Sequence, residues 1–191
     1  YEIHERLVGS EMCIRDRFDM KYGTWLRSLV FEYIYTKYQS GPYNHDRTQN
    51  IGDHIAGMDD YYNHSIYTGW QHWGQVIGNP LYRSPIYNND NSIDVRNNRF
   101  YAVHLGVEGS PTERLDYRVL TTYQKGWGTY NNPFTKAYKN FSFLVEAKYK
   151  FNHDWTVKGG YAMDFGSEKM YGHNAGFQLT VTKSGLLTKK K

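Results

Sequence analysis

Five stretches decide the fold: YAVHLGV (101–107), LDYRVLTTY (115–123), FSFLVEAKYKF (141–151), WTVKGGYAMDF (155–165) and FQLTV (177–181). Their odd positions are almost all apolar or aromatic: Val103, Leu105 and Val107; Tyr117 and Val119; Phe141, Phe143, Val145 and Tyr149; Val157, Tyr161, Met163 and Phe165; Phe177, Leu179 and Val181. Charges fall on even positions, among them Glu108, Asp116, Arg118, Glu146, Lys148, Lys150, Lys158 and Asp164. Side chains on a strand alternate between faces, so each stretch reads as a strand with one apolar and one polar face. Arg99 alone sets a charge on the apolar side, at the very start of its strand.

Two environments accept such a face. A soluble sandwich packs it on a second sheet. An outer-membrane barrel turns it to lipid and keeps the polar face for the lumen. The connections favour the barrel, in which short turns alternate with long loops. Short turns are expected around Gly109-Ser110-Pro111 and at Asn152-His153-Asp154, with a long Gly-, Tyr- and Asn-rich loop over 126–140 between them. Aromatic residues gather near the strand ends, as interfacial girdles do: Tyr123, Trp127, Phe141, Tyr149, Phe151, Trp155 and Phe165. The expected class is all-β, the C-terminal part of an antiparallel transmembrane β-barrel, forming an open curved sheet of about 6–8 strands. Its location would be the cell outer membrane, with membrane lipid around it.

Composition fits this reading. The 191 residues are 17% aromatic, with 19 Tyr, and mean hydropathy is −0.77. No run approaches the ~18 apolar residues of a spanning helix. A net charge of +4 is spread along the chain, with no basic stripe to suggest nucleic acid. All prolines fall outside the expected strands, as ladder hydrogen bonding demands.

Residues 1–17, YEIHERLVGSEMCIRDR, lack the apolar centre of a secretory signal. They resemble the in-frame translation of a sequencing-library adaptor, above all in LVGSEMCIRDR. They are expected to be a non-native, irregular leader, with 18–191 the authentic C-terminal part of a longer chain. The single cysteine, Cys13, lies in that leader, which leaves no disulfide chemistry to the rest.

Residues 25–38 read as the first strand, with Leu29, Phe31, Tyr33 and Tyr35 on one face and Glu32 on the lumenal one. Residues 43–96 lose the alternation. A connection this long is usually functional. Counting strands back from the C-terminus places it outside the cell, and a hairpin is expected within it near 70–77.

The segments YYNH, GWQHWG and IGNPLY within 59–82, then NNDNSIDVRNNR, HLGVEG, YRVLTTY, WGTYNNPF and FQLTVTKSGLL, together resemble the Wzi-type capsule assembly family in its Bacteroidetes-like form. The resemblance covers nearly all of 18–187 without any one diagnostic motif. It implies a monomeric outer-membrane barrel that acts as a lectin-like anchor for capsular or other surface polysaccharide and is not an enzyme. It also implies that an upstream part of the barrel precedes this chain.

The carbohydrate-binding candidates are Tyr61, Tyr62, His64, Trp70, His72, Trp73, Trp127 and Tyr130. An aromatic ring stacks on the C–H face of a pyranose, and neighbouring Asn, Asp and His bond its hydroxyls. The same rings also suit an interfacial girdle or the packing of the long loop itself. His54, Asp59, Asp60, His64 and His72 have no strong ligand spacing, so no metal or other cofactor is expected. The interleaved lumenal charges suggest cross-strand pairs; a selective pore would more readily show a ring of one sign. None of the carboxylates sits in a glycosidase-like context, and no nucleophile triad, phosphate loop or dinucleotide fingerprint is present. The alternatives are a porin-like or structural barrel without sugar affinity and a soluble β-rich carbohydrate-binding domain.

Overall fold

The computed structural model describes residues 12–20, 24–38, 44–45, 54–56, 62–63, 69–151 and 154–184. In chain order the strands are β1 (Met12–Asp19), β2 (Ser28–Tyr35), β3 (Asn44–His45), β4 (His54–Ala56), β5 (Gln71–His72), β6 (Gln75–Val76), β7 (Phe100–Thr112), β8 (Leu115–Gly128), β9 (Pro133–Lys150), β10 (Trp155–Gly166) and β11 (His173–Lys183). A 3-10 turn, Pro85–Tyr87, follows β6. The main sheet is seven-stranded and antiparallel, in the order β1-β2-β7-β8-β9-β10-β11, and does not close. Each strand thus pairs with its neighbour in sequence, except that 36–99 intervenes between β2 and β7. The all-β class and the open sheet of the expected size are as the alternation implied.

The register carries that alternation across the whole sheet. One row joins Leu29, Val107, Val119, Val145, Tyr161 and Phe177 from strand to strand. The row above joins Phe31, Leu105, Thr121, Phe143, Met163 and Ala175. A one-residue slip in any pair would turn that strand's apolar set to the other face. Every large apolar side chain left exposed on these strands lies on this side, from Ile14 and Phe18 through Val145 and Tyr161 to Phe177, which is 72% exposed. Its two margins are aromatic and basic. At one, Tyr33, Tyr101, Tyr123 and Trp127 are in ring contact, with Lys37 and Lys125 over Trp127. At the other, Tyr149 meets Phe151 edge-on, and Lys183 lies over Trp155.

The opposite face is graded. At one end it is charged: Arg118 Nε donates to Glu146 Oε2 at 2.6 Å, Lys158 Nζ reaches Glu146 Oε1 at 2.6 Å, and Lys150 Nζ reaches Asp116 Oδ2 at 3.0 Å. The expected cross-strand pairs therefore form. In the middle Val30, Leu120 and Leu144 make a half-buried apolar row through Gly106, where an added Cβ would lie 3.0 Å from Leu120. At the far end Ala102, Gln124 and Asn140 are buried, and Gln124 is bonded to Leu81 of the folded-back segment. The small core of Ile34, Tyr62, Tyr82, Val95, Phe100 and Ala102 sits there, between that segment and the sheet.

Several expectations need correction. Residues 12–17 are not irregular: they form most of β1. The edge of β2 presents unpaired backbone groups, and a tethered segment of matching alternation pairs with it. Ile14 and Phe18 join the apolar side opposite Tyr33 and Leu29, and Arg15 bonds Glu32 at 2.9 Å on the other. The free edges of the sheet are consequently β1 and β11. The long loop expected over 126–140 is mostly strand: β8 runs to Gly128 and β9 starts at Pro133, leaving the turn at 129–132. The tight turn expected within Glu108–Arg114 around Gly109-Ser110-Pro111 sits at the end of that range, at Glu113-Arg114, because β7 continues through a register shift between Gly109 and Thr112. Two prolines therefore lie inside strands, where a missing N–H is tolerated: Pro111 at that shift and Pro133 as the first residue of β9. The first strand is shorter than 25–38, ending at Tyr35. At the β9–β10 connection, Phe151 N donates to Trp155 O at 2.8 Å, and Asn152 and His153 lie outside the described residues.

The 36–99 segment, the 129–132 turn and the 167–172 turn share one end of the sheet. The connections of β1 to β2, β7 to β8 and β9 to β10 share the other.

Candidate functional site

Residues 80–81 of the fold-back are fixed to the sheet end by side chains. Gln124 Nε2 donates to Leu81 O at 2.9 Å, and Tyr171 Oη donates to the same oxygen at 2.9 Å and to Pro80 O at 3.2 Å. Burial pushes the Tyr171 phenol well above the usual tyrosine range, and the Asp164 carboxylate adds to the effect. Asn63 bonds both backbone groups of Val95, each at 2.7 Å, standing in for a strand partner.

The hairpin expected near 70–77 is present as β5 and β6, joined by Trp73 and Gly74. Both turn residues have positive φ, 51° and 72°. That is the backbone of a two-residue turn matched to strand twist, which favours Asn-Gly or Gly-Gly. A tryptophan in the first position costs strain of about 1 kcal/mol. Gly74 O accepts Ile86 N at 2.9 Å and Val76 N bonds Ser84 Oγ at 3.1 Å, so the hairpin stands on the 3-10 turn. Trp73 is 87% exposed and Trp70 61%. His72 is exposed and meets Trp73 edge-on at 6.2 Å. A shallow cavity of about 350 Å³ opens between Gln71, His72, Trp73, Gly74 and Ile93.

The candidate residues thus separate. Trp70, His72 and Trp73 come together on the exposed hairpin. Tyr62 is buried and packs tilted against Tyr82, ring centres 4.3 Å apart, a core role. Trp127 faces outward in the aromatic margin of the sheet. Tyr130 bonds Lys37 O at 2.9 Å beneath the Arg99 guanidinium, 4.2 Å from the ring centre. Tyr61 and His64 lie outside the described residues, as do Asp59 and Asp60.

Sequence reasoning missed a larger feature at the same end. A cavity of about 620 Å³ is lined by Asn63, Arg83, Asn131, Asn132, Phe134 and Lys169, with Asp94 and Glu168 also on its wall. A second, of about 850 Å³, shares Arg83, Asn89 and Glu168 with it and runs on to Tyr171 and His173. Arg83 is half-buried between them. Its Nη1 donates to Asn88 Oδ1 at 2.8 Å and its Nη2 to Tyr87 O. Burial lowers its pKa, and Arg96 nearby adds to this. Asp90 is held below the ordinary carboxylate range by the backbone N–H of Ser92 and by Arg96. Only the Asn-rich composition of 88–98 and 131–132 hinted at this cavity, because the residues meet through the fold-back.

Amides, a guanidinium and an aromatic ring in a concave polar wall suit hydrogen bonding to hydroxyl-rich ligands. Comparison with protein-family models, with curated proteins and with solved structures returns no match to this chain.

Proposed function

We propose that the chain is part of an outer-membrane β-barrel of the Wzi-type capsule assembly kind, which holds capsular or other surface polysaccharide at the cell surface. The observation that carries the membrane half is the single-sided exposure of apolar side chains across the seven-stranded sheet. An apolar face this large is uncovered only where lipid or another protein layer meets it. From Phe141 to Phe151 an extended strand spans about 34 Å, or about 26 Å when tilted by ~40°, close to the height of an outer-membrane apolar band. The aromatic and lysine margins fit the two interfaces, where rings sit at headgroup level and lysines snorkel.

The polysaccharide half rests on position and chemistry. The Trp70–Trp73 hairpin and the amide-lined cavity belong to the end of the sheet that carries the long 36–99 connection, the outer end of such a barrel. The described part of that connection around Tyr62, Leu81, Tyr82 and Val95 packs on the polar face at that end, which favours an anchor over an open pore.

Deletion of the gene tests the reading. The expected result is capsule shed into the medium at unchanged polymer synthesis. Altered uptake of small solutes with capsule still attached would reject the anchor in favour of a porin.

A further inference from the structure

Arg83 differs from Arg118, Lys158, Lys150 and Arg96, each of which a carboxylate holds. Glu146 holds Arg118 and Lys158, Asp116 holds Lys150, and Asp90 holds Arg96. Among the described residues no carboxylate pairs with Arg83, although it is half-buried at the junction of two cavities. The two acids on the wall of the 620 Å³ cavity, Asp94 and Glu168, are exposed. A desolvated cation without a counter-charge is costly, and an anionic ligand relieves that cost.

The guanidinium is also held in place. Its contacts to Asn88 Oδ1 and Tyr87 O use one hydrogen on each terminal nitrogen. A guanidinium has five N–H donors, so three remain. Asn88 is in turn fixed by Nδ2 bonds to Ser92 O at 3.1 Å, Ser92 Oγ at 3.2 Å and Asp94 O at 2.9 Å. Side chains that lose little freedom on binding bind more tightly. Around Arg83 stand the Asn63, Asn131 and Asn132 amides, the Phe134 ring, and Lys169, whose Nζ lies 5.9 Å from the Phe134 ring centre.

We infer that this cavity binds an acidic sugar residue, with the carboxylate of a hexuronic acid on the free donors of Arg83, its hydroxyls on the Asn131 and Asn132 amides and its C–H face toward Phe134. Asn88 is a positioning residue for Arg83. The inference rests on the polysaccharide reading above and names the chemical class of sugar.

The test uses the whole chain in lipid nanodiscs, titrated calorimetrically with an oligogalacturonate, a neutral malto-oligosaccharide of equal length and a phosphorylated mannan oligosaccharide. The oligogalacturonate is expected to bind at least about tenfold more tightly than the neutral chain, as charge-assisted bidentate pairing implies. Arg83→Gln should remove that preference, and Arg83→Lys, which keeps the charge without the fork, should restore only part of it. Lys169→Gln, on the exposed wall, gives a second variant should Arg83→Gln disturb the loop, and should weaken acidic binding alone. Preference for the phosphorylated chain over the uronate overturns the carboxylate assignment. Equal binding of acidic and neutral chains, unchanged in all three variants, overturns the acidic-sugar site while leaving polysaccharide retention intact. Binding of no sugar by the native chain overturns both.

Discussion

Arg118 and Glu146 sit directly opposite each other across β8 and β9, 2.6 Å from Nε to Oε2, and Glu146 uses its second oxygen on Lys158 of β10. Three neighbouring strands are thereby tied on the inward face by one carboxylate whose side chain is 12% exposed. Glu146→Ala leaves two cations facing each other. The expected loss is about 1 kcal/mol, the sum of two partly exposed cross-strand pairs. Urea unfolding in lipid vesicles measures it. Glu146→Ala combined with Arg118→Ala should cost less than the separate losses summed, because the cations are no longer stranded.

The Tyr171 hydroxyl holds the folded-back segment at Pro80 and Leu81. Its folded pKa lies above the ordinary value, so the folded state keeps a proton that the unfolded state releases above pH ~10. The stability it contributes is full below pH ~10 and is lost as pH rises further. Tyr171→Phe should cost about 1–2 kcal/mol at neutral pH. It should also flatten the alkaline limb of the stability profile relative to native protein, measured by thermal melts between pH 8 and pH 11. Equal alkaline slopes in the two proteins would contradict the latch.

Trp73 occupies a backbone conformation that glycine adopts freely, while its ring is almost fully in solvent. A ring kept there for packing would protect stability. A ring kept for ligand stacking would not. Trp73→Gly is expected to leave the melting temperature unchanged or to raise it, with about 0.5–1 kcal/mol of turn strain relieved. Retention of surface polysaccharide should fall severalfold in a quantitative capsule assay. Full retention would remove the hairpin from the site.

The facing of the sheet was legible because the medium on each face decides each side chain independently. Phe143 and Val145 alternate with Ser142 and Glu146 whatever the rest of the chain does. The same reasoning explains the strand ends that were missed. Above Phe141 the outward positions of β9 are Lys139, Ala137 and Thr135, and above Tyr123 those of β8 are Lys125 and Trp127. On the proposed reading, strands that rise past the bilayer would meet water on their outer side, so the apolar period would stop while the hydrogen-bonded ladder continues. The hairpin at Trp73-Gly74 was legible from its clustered aromatics. The cavity around Arg83 was not, since Asn63, Arg83, Asn132 and Lys169 are brought together by contacts between distant segments. Tyr62 illustrates the converse error: the residue type suits a sugar platform, but Tyr82 and Phe100 claim it for the core.

Charge tolerance should differ sharply between the faces. Val145 lies in the central outward row, whereas Gln178 lies on the inward face and is exposed. Val145→Arg should cost about 2–4 kcal/mol if it sits near the bilayer midplane. Gln178→Arg should stay within about 0.5 kcal/mol. Vesicle-insertion yield and urea midpoint report both.

Lipid contact on the odd face is tested most directly by spin labels placed singly at 143–148, on a Cys13→Ser background in bilayers. Accessibility to dissolved oxygen and to a water-soluble nickel chelate is then compared position by position. The account predicts high oxygen and low nickel access at positions 143, 145 and 147, and the reverse at 144, 146 and 148, a strict period of two. Odd positions closed to both reagents, as beneath a second layer of protein, or open to nickel, as in water, would contradict it.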